Sequence, residues 1–242
     1  MTITALKPYR DDRGNTITYA GARCREVTVE FRGSNNTLVV AENANLRKTH
    51  FSFDCDNGAA SVGGHKAGNF AAWIRIGQDS TVTIGDDVTS TQSVSMACVE
   101  GQALSIGDDC MFATGCQVRT DDAHAIYDVR TGARINPSKP VSIGNHVWLA
   151  NGAVVLGGAT IGDGTVIGMG SLVKGPIPNN CVAAGTPARI TRTDTAWERP
   201  HLSLNKPYYK PDASTVKKSE YWNLTEVEPE LGSFMNQAEA TH

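Results

Sequence analysis

From Ile143 onward, aliphatic residues return at every sixth position: Ile143, Leu149, Val155, Ile161, Ile167 and Val173. Four places after the first five of these stand Val147, Ala153, Ala159, Thr165 and Ser171. The next residue is usually small, as at Gly144, Ala150, Gly162 and Gly168, with Leu156 and Lys174 as exceptions. An amphipathic helix repeats every 3.6 residues and a half-buried strand every two. A period of six fits neither. It fits a short strand followed by a tight corner, with Gly where φ can be positive. Three such sides close one triangular turn, whose inner face holds one aliphatic and one small residue per side. One turn cannot bury that face alone, so turns must stack at about the 4.8 Å strand spacing. The pattern therefore demands a solenoid.

The phase extends upstream with interruptions. Ile106, Phe112 and Val118 share the register, and Cys110 and Cys116 fall on the small inward position, where a thiol is an apolar filler. "IRIGQDS" and "VTIGDDV" carry an aliphatic-Gly-x-Asp corner, and "VEFRGSNNTLVV" reads as an irregular first coil whose Asn pair forms a corner or a stack. The net charge is −3, which gives no footprint for nucleic acid or an anionic membrane. No apolar run has the length of a membrane span, and "MTITALKPYR" lacks a signal-peptide core. The six cysteines form no C-x-x-C pair, so a reduced, cytoplasmic protein is expected.

Residues 141 to 190, "VSIGNHVWLANGAVVLGGATIGDGTVIGMGSLVKGPIPNNCVAAGTPARI", resemble the C-terminal half of a hexapeptide-repeat acyltransferase. Within that family the run looks closest to the sugar and polysaccharide O-acetyltransferases. The resemblance implies an all-β fold, a left-handed parallel β-helix solenoid with an extruded loop and a C-terminal extension. The handedness comes from the family and runs against the usual right-handed crossover preference. The expected organisation is an N-terminal segment 1–26, a solenoid domain 27–192 with a catalytic loop 119–140, and an extension 193–242. The resemblance also implies a homotrimer with active sites between neighbouring subunits, acetyl-CoA as co-substrate, no metal, and a small-molecule or glycan acceptor.

Between Val118 and Val141 the six-residue rule is lost. A break of roughly twenty residues in a regular chain is usually functional, and this one places Asp121, Asp122 and His124 together. In the family a histidine on such a loop is the general base. His124 matches it, 24 residues before Trp148 in "IGNHVWLA". An alcohol must lose a proton as it attacks a thioester, and an imidazole with pKa near 6.5 can accept it at neutral pH. The second ring nitrogen needs a partner: Asp122 at the D-x-H position, Asp121, or a backbone carbonyl. The indole of Trp148 could face the acceptor or the developing oxyanion, or shield an edge of the solenoid.

By resemblance, Asn151 and Met169 line the pantetheine path, while Lys174, Arg189 and Arg192 face the phosphates. "AGTPARI" carries Thr186 where Val is more usual, and Gly175 stands where Lys or Asp is often found. No Ser or Cys sits in a nucleophile elbow, which favours direct transfer. The remaining histidines read as bland: His146 as a solvated corner variation, His50 in an irregular N-terminal half, and His65 as a surface turn in preference to a loop reaching an acceptor pocket. The tail reads as an extended segment with a loose end, anchored by Trp197, Tyr208, Tyr209, Tyr221 and Trp222, that packs on the solenoid or on a neighbour, with shaping of the acceptor site as the other role. A zinc hydratase on the same solenoid would need three convergent histidines, and His124 and His146 lack such a third. A nucleotide-sugar amine or small xenobiotic acceptor, a donor such as succinyl-CoA, and a non-catalytic scaffold are the other functional readings.

Overall fold

The structure is a computed structural model, which describes residues 1–21 and 23–226. The chain winds as a parallel solenoid of about seven turns with three flat faces. Face 1 stacks Arg25–Phe31, Arg47–Phe53, Ala72–Ile76, Val94–Cys98, Gln117–Arg119, Val154–Val155 and Leu172–Val173. Face 2 runs from Thr16–Tyr19 to Pro176–Ile177, and face 3 from Thr89–Ser90 to Val182–Gly185. Each turn passes from face 1 to face 2 to face 3. The three bends between them are called the first, second and third corners, the third leading back to face 1.

The six-residue register points inward as the pattern requires. Ile143, Leu149, Val155, Ile161, Ile167 and Val173 are buried, as are Val147, Ala153, Ala159, Thr165 and Ser171 between them. Cys110 and Cys116 are buried at the same small position. Burial pushes the Cys110 thiol up to about 12, so it fills space and does not act as a nucleophile.

The N-terminal half is not irregular. Ile74 pairs with Met96 and Met96 with Val118, so each of these turns takes 22 residues. The later turns take 18, as in the Val155–Val173 pair. The longer turns enclose a wider core, and larger side chains fill it: Phe31, Phe51, Phe53 and Phe70 are fully buried, with Phe31 stacked on Phe53 at 5.0 Å. A search at period six passes over a period of 22, which is why this half reads as broken. Parallel pairing begins at Thr16–Tyr19, inside the segment read as preceding the coil. The Asn pair of the first coil both turns and stacks. Asn36 donates to Asn15 Oδ1 at 3.0 Å, and its own Oδ1 accepts from Gly58 N at 2.7 Å.

Antiparallel pieces cover three of the strand edges that would otherwise be free to pair with other chains. Thr2–Ile3 covers Arg25–Phe31, Tyr9–Arg10 covers Thr16–Tyr19, and Ala188–Arg192 folds back on Val182–Gly185. The second corner carries a side-chain ladder. Asp86, Asp108, Asn145 and Asp163 each accept through Oδ1 the backbone N–H of Gly64, Asp86, Asp108 and Asn145 in the turn before, at 2.7–2.8 Å. Among the described residues no helix is long and apolar enough to cross a membrane.

Candidate active site

The turn that starts at Gln117–Arg119 takes 37 residues, and the excess leaves the solenoid at the first corner as the loop 119–140. Two feet hold it. Lys139 N donates to Thr120 O at 3.0 Å, and Ser138 N donates to Glu100 Oε2 at 3.1 Å. Glu100 occupies the same corner one turn earlier, and Arg134 Nη1 reaches its Oε1 at 2.5 Å. These donors hold the Glu100 carboxyl well below the usual range, at about 2.

Asn136 is the hub of the loop. Its Oδ1 accepts from Ile126 N at 2.7 Å, and its Nδ2 donates to His124 O at 2.9 Å and to Asp122 Oδ2 at 3.0 Å. Asp128 caps the tip, accepting from Arg130 N and Thr131 N. The His124 backbone is thus fixed while its side chain is exposed, and its imidazole makes no hydrogen bond among the described residues. Asp122 is also exposed and holds Asn136, not the His124 ring. Asp121 is buried. Its Oδ2 accepts from Ala123 N at 2.8 Å and lies 3.6 Å from Arg119 Nη2, while its Oδ1 has no partner among the described residues. Ala123 follows in the left-handed region at φ 65°, which turns the chain outward toward His124.

Trp148 is half-buried at the start of face 3, between Met111 of the preceding turn and Val166 of the next. Asn151 follows it at the third corner, and Met169 stands one turn on, where Gly170 N donates to Asn151 O at 2.9 Å. Both are exposed. Arg189 and Arg192 lie on the closing strand of face 3, opposite Ala184 and Val182. Lys174 does not join this group. It sits at the first corner, across face 1, on the same corner as the loop. The residues expected at the site therefore form two sets: Trp148, Asn151, Met169, Arg189 and Arg192 on face 3 and its edge, and His124, Asp122 and Lys174 at the first corner.

Two histidines depart from their sequence reading. His65 is buried, not on a surface turn. Its Nδ1 accepts from Asn45 N at 3.1 Å and its Nε2–H donates to Val88 O at 2.7 Å. Burial lowers its pKa, so it is a neutral structural ring. His146 is 2% exposed and is not a solvated corner. Its Nδ1 lies 2.6 Å from Asp109 Oδ2 and its Nε2 lies 3.0 Å from Trp197 O. Its corner lies at positive φ (51°), and the residues that bury it, Trp197 and Tyr221, lie far along the chain. A cleft of about 780 Å³ opens beside this cluster, between the second corner at Asp86 and Asp108 and the tail at Arg199 and Tyr221. It contains no residue of the loop. Among the described residues no three His, Cys, Asp or Glu side chains converge as metal ligands.

Comparison with known proteins agrees with this architecture. Residues 140–175 match the bacterial transferase hexapeptide model (six repeats). The chain is 32% identical to the galactoside O-acetyltransferase of Escherichia coli K12 over 189 residues, covering 76% of this chain and 79% of that protein. This chain belongs to the hexapeptide-repeat sugar O-acetyltransferases. It is also 32% identical over 146 residues to the polysialic acid O-acetyltransferase of Neisseria meningitidis, covering 52% of this chain and 67% of that protein. The crystal structure of the polySia-specific acetyltransferase NeuO superposes with a TM-score of 0.73 at 30% identity, covering 80% of this chain and 90% of the other. The solenoid is a left-handed parallel β-helix, and the chain is an acetyltransferase.

Proposed function

We propose that this acetyltransferase moves an acetyl group from acetyl-CoA to a hydroxyl of a saccharide, directly, with His124 as general base. The observation that carries the reading is the loop itself. In an otherwise regular solenoid it presents an exposed imidazole that has no hydrogen bond among the described residues, on a backbone clamped by Asn136. The names of the relatives, polysialic acid and galactoside O-acetyltransferases, support the saccharide as acceptor.

One ring nitrogen of His124 takes the proton from the acceptor hydroxyl as its oxygen attacks the thioester carbonyl. The carbon–sulfur bond then breaks, and CoA leaves as the thiol once the imidazolium returns the proton. Asp122 is assigned as the ring-orienting carboxylate from its D-x-H position two residues before His124, with its Oδ2 accepting from Asn136 in this structure. Trp148 forms the wall of the acyl pocket, with its indole N–H toward the developing oxyanion. Asn151 and Met169 flank the pantetheine arm, and Arg189, Arg192 and Lys174 meet the phosphates.

The two sets of site residues sit on different parts of the triangular cross-section, so one complete site needs two copies. In a cyclic homotrimer the first corner of one copy would meet face 3 of the next, bringing His124 and Lys174 to Trp148 and Asn151. Ile126, Tyr127, Val129 and Ile135 on the loop are exposed, Val129 almost entirely at 99%, and such a patch suits burial against a neighbouring subunit. The buried, unpaired thiols of Cys98, Cys110, Cys116 and Cys181 suit a reducing, cytoplasmic setting, where acetyl-CoA is made.

The test is thiol release from acetyl-CoA against a panel of galactosides, maltosides and sialic acid polymers, for wild type and His124→Ala, with the mass of the assembly measured by light scattering. Acceptor-dependent release that falls about a hundredfold or more in the variant is expected. Full activity in His124→Ala refutes the general base, and a monomeric active enzyme refutes the shared site.

A further inference from the structure

The second corner places one residue per turn in a column: Asp87, Asp109, His146, Gly164 and Asn180. Each donates its backbone N–H to a carbonyl of the turn before, at 2.7–2.9 Å. The tail runs back along this column. Thr195 N donates to Asn180 O at 2.9 Å, Trp197 sits on His146, and Arg199 reaches Asp109. Arg199 also donates to Thr89 Oγ1 at 2.8 Å, Asp87 O at 2.9 Å and Cys110 O at 3.0 Å. One guanidinium thus ties the tail to two turns.

At the centre of the contact the His146 ring lies between two aromatic faces. Trp197 stacks on it at 4.1 Å and 15°, and Tyr221 at 4.7 Å and 5°. Both ring nitrogens meet oxygen atoms, Asp109 Oδ2 at 2.6 Å on one side and the Trp197 carbonyl at 3.0 Å on the other. Although burial opposes it, the His146 hydrogen bond and the Arg199 charge keep the Asp109 carboxyl below its ordinary pKa.

This latch ends on a site residue. Trp197 Nε1 donates to His146 O at 2.9 Å, two residues ahead of Trp148, and the Trp197 ring leans on the Trp148 ring at 5.8 Å and 45°. Trp148 stands on a strand of two residues, Trp148–Leu149, that fixes its backbone. Its one aromatic contact among the described residues is Trp197. Trp197 is also the one large apolar residue of the described tail that is buried, at 8% exposure.

We propose that Trp197, with the His146–Asp109–Arg199 latch that seats it, is a positioning residue for Trp148. The tail is then a working part of the acyl pocket and not packing alone. The inference rests on the role given to Trp148 above. An indole held on one side only samples several rotamers, and a displacement of a fraction of an ångström at an acyl pocket is costly to the rate.

The experiment is a double-mutant cycle on the full chain: wild type, Trp148→Ala, Trp197→Ala and the pair. It reads kcat and the acetyl-CoA KM separately, with Tyr209→Ala as an exposed tail control. Trp197→Ala is expected to lower kcat about tenfold to a hundredfold, with KM changed by no more than about twofold. Trp197→Phe should restore most of the loss, and Trp197→Ala should cost nothing further once Trp148 is already Ala. Should Trp197→Ala fail to fold, Trp197→Leu keeps the bulk without the ring and takes its place in the cycle. An unchanged kcat, a loss confined to KM, or losses that multiply in the double variant overturn the inference while leaving the transferase reading intact. A wild type that releases no thiol with any saccharide refutes the saccharide reading of the site, and this inference with it.

Discussion

Gly107→Ala tests what spaces the turns. Gly107 lies at the second corner, and a Cβ built on it would stand 2.4 Å from Asn145 Oδ1 and 2.8 Å from the carbonyl carbon and oxygen of Gly144, both in the next turn. The turns cannot simply part. Gly107 N donates to Ile143 O at 2.8 Å, and the Leu104–Val141 and Ile106–Ile143 pairs fix the same spacing on face 2. Asn145 could swing aside, but Asp108 N would then lose its 2.8 Å acceptor. Overpacking of this kind costs about 1–3 kcal/mol, and the abandoned backbone donor about 1 kcal/mol more. The expected loss is about 2–4 kcal/mol, or a fall in Tm of roughly 4–16 °C for a chain of this size. Gly175→Ala is the comparator, because nothing lies within 4 Å of its Cβ position and its φ is not positive. It should be neutral or stabilising by up to about 1 kcal/mol through the unfolded chain. Thermal and urea unfolding of both variants against wild type decide the matter. If Gly107→Ala unfolds within about 1 kcal/mol of Gly175→Ala, the ladder is soft and the steric account of the corner glycine is wrong.

Three further outcomes are expected. In the native protein a thiol reagent at mildly alkaline pH should label exposed Cys55 at once and half-buried Cys24 slowly, while Cys98, pushed up to about 11 by burial, and Cys110 react only on unfolding; fast labelling of four or more thiols would contradict their role as core fillers. Glu100 is ionised and holds the loop foot, and its depressed pKa means that this anchorage is complete above 4.5 and lost as pH falls toward about 2. Hydrogen exchange at Ser138 N should therefore lose protection in acid, and Glu100→Gln should give the same loss at neutral pH with a lower kcat. Lys174→Ala, Arg189→Ala and Arg192→Ala should each raise the acetyl-CoA KM about two- to fivefold, with kcat preserved and a weaker salt dependence; three unchanged KM values would remove these cations from the cofactor path.

The C-terminal turns were legible because each of their sides is reduced to the minimum of six residues. Nothing but an aliphatic and a small residue fits inside such a side, so Ile143 to Val173 and Val147 to Ser171 reveal the fold directly. In the 22-residue turns the extra residues widen the interior. A wide interior accepts Phe53 as readily as Val29, so the composition constraint relaxes and the period blurs. The loop was legible for the converse reason, since a regular chain makes its interruption conspicuous. The hub residue Asn136 was not, because its work is done by hydrogen bonds to His124 O and Asp122 Oδ2 across the loop, at sequence separations that follow no rule.

His146 shows where local reasoning stops. At its corner the backbone accepts Asp87, Asp109, Gly164 or Asn180 in other turns, so a histidine there looks like drift on a solvated bend. What buries it is Trp197, 51 residues further on, and Tyr221 beyond that. Neither the tail's prolines nor its charges disclose that path. Trp197, Arg199 and Tyr221 engage the second corner, where Asp109 and His146 stand in one column beside Trp148. A substitution at His146 therefore acts on three things at once: the corner's φ, the seat of the tail and the indole on face 3. An imidazole in place of Asn or Asp suits the last two, since a flat ring stacks between Trp197 and Tyr221 while its two nitrogens meet Asp109 Oδ2 and Trp197 O.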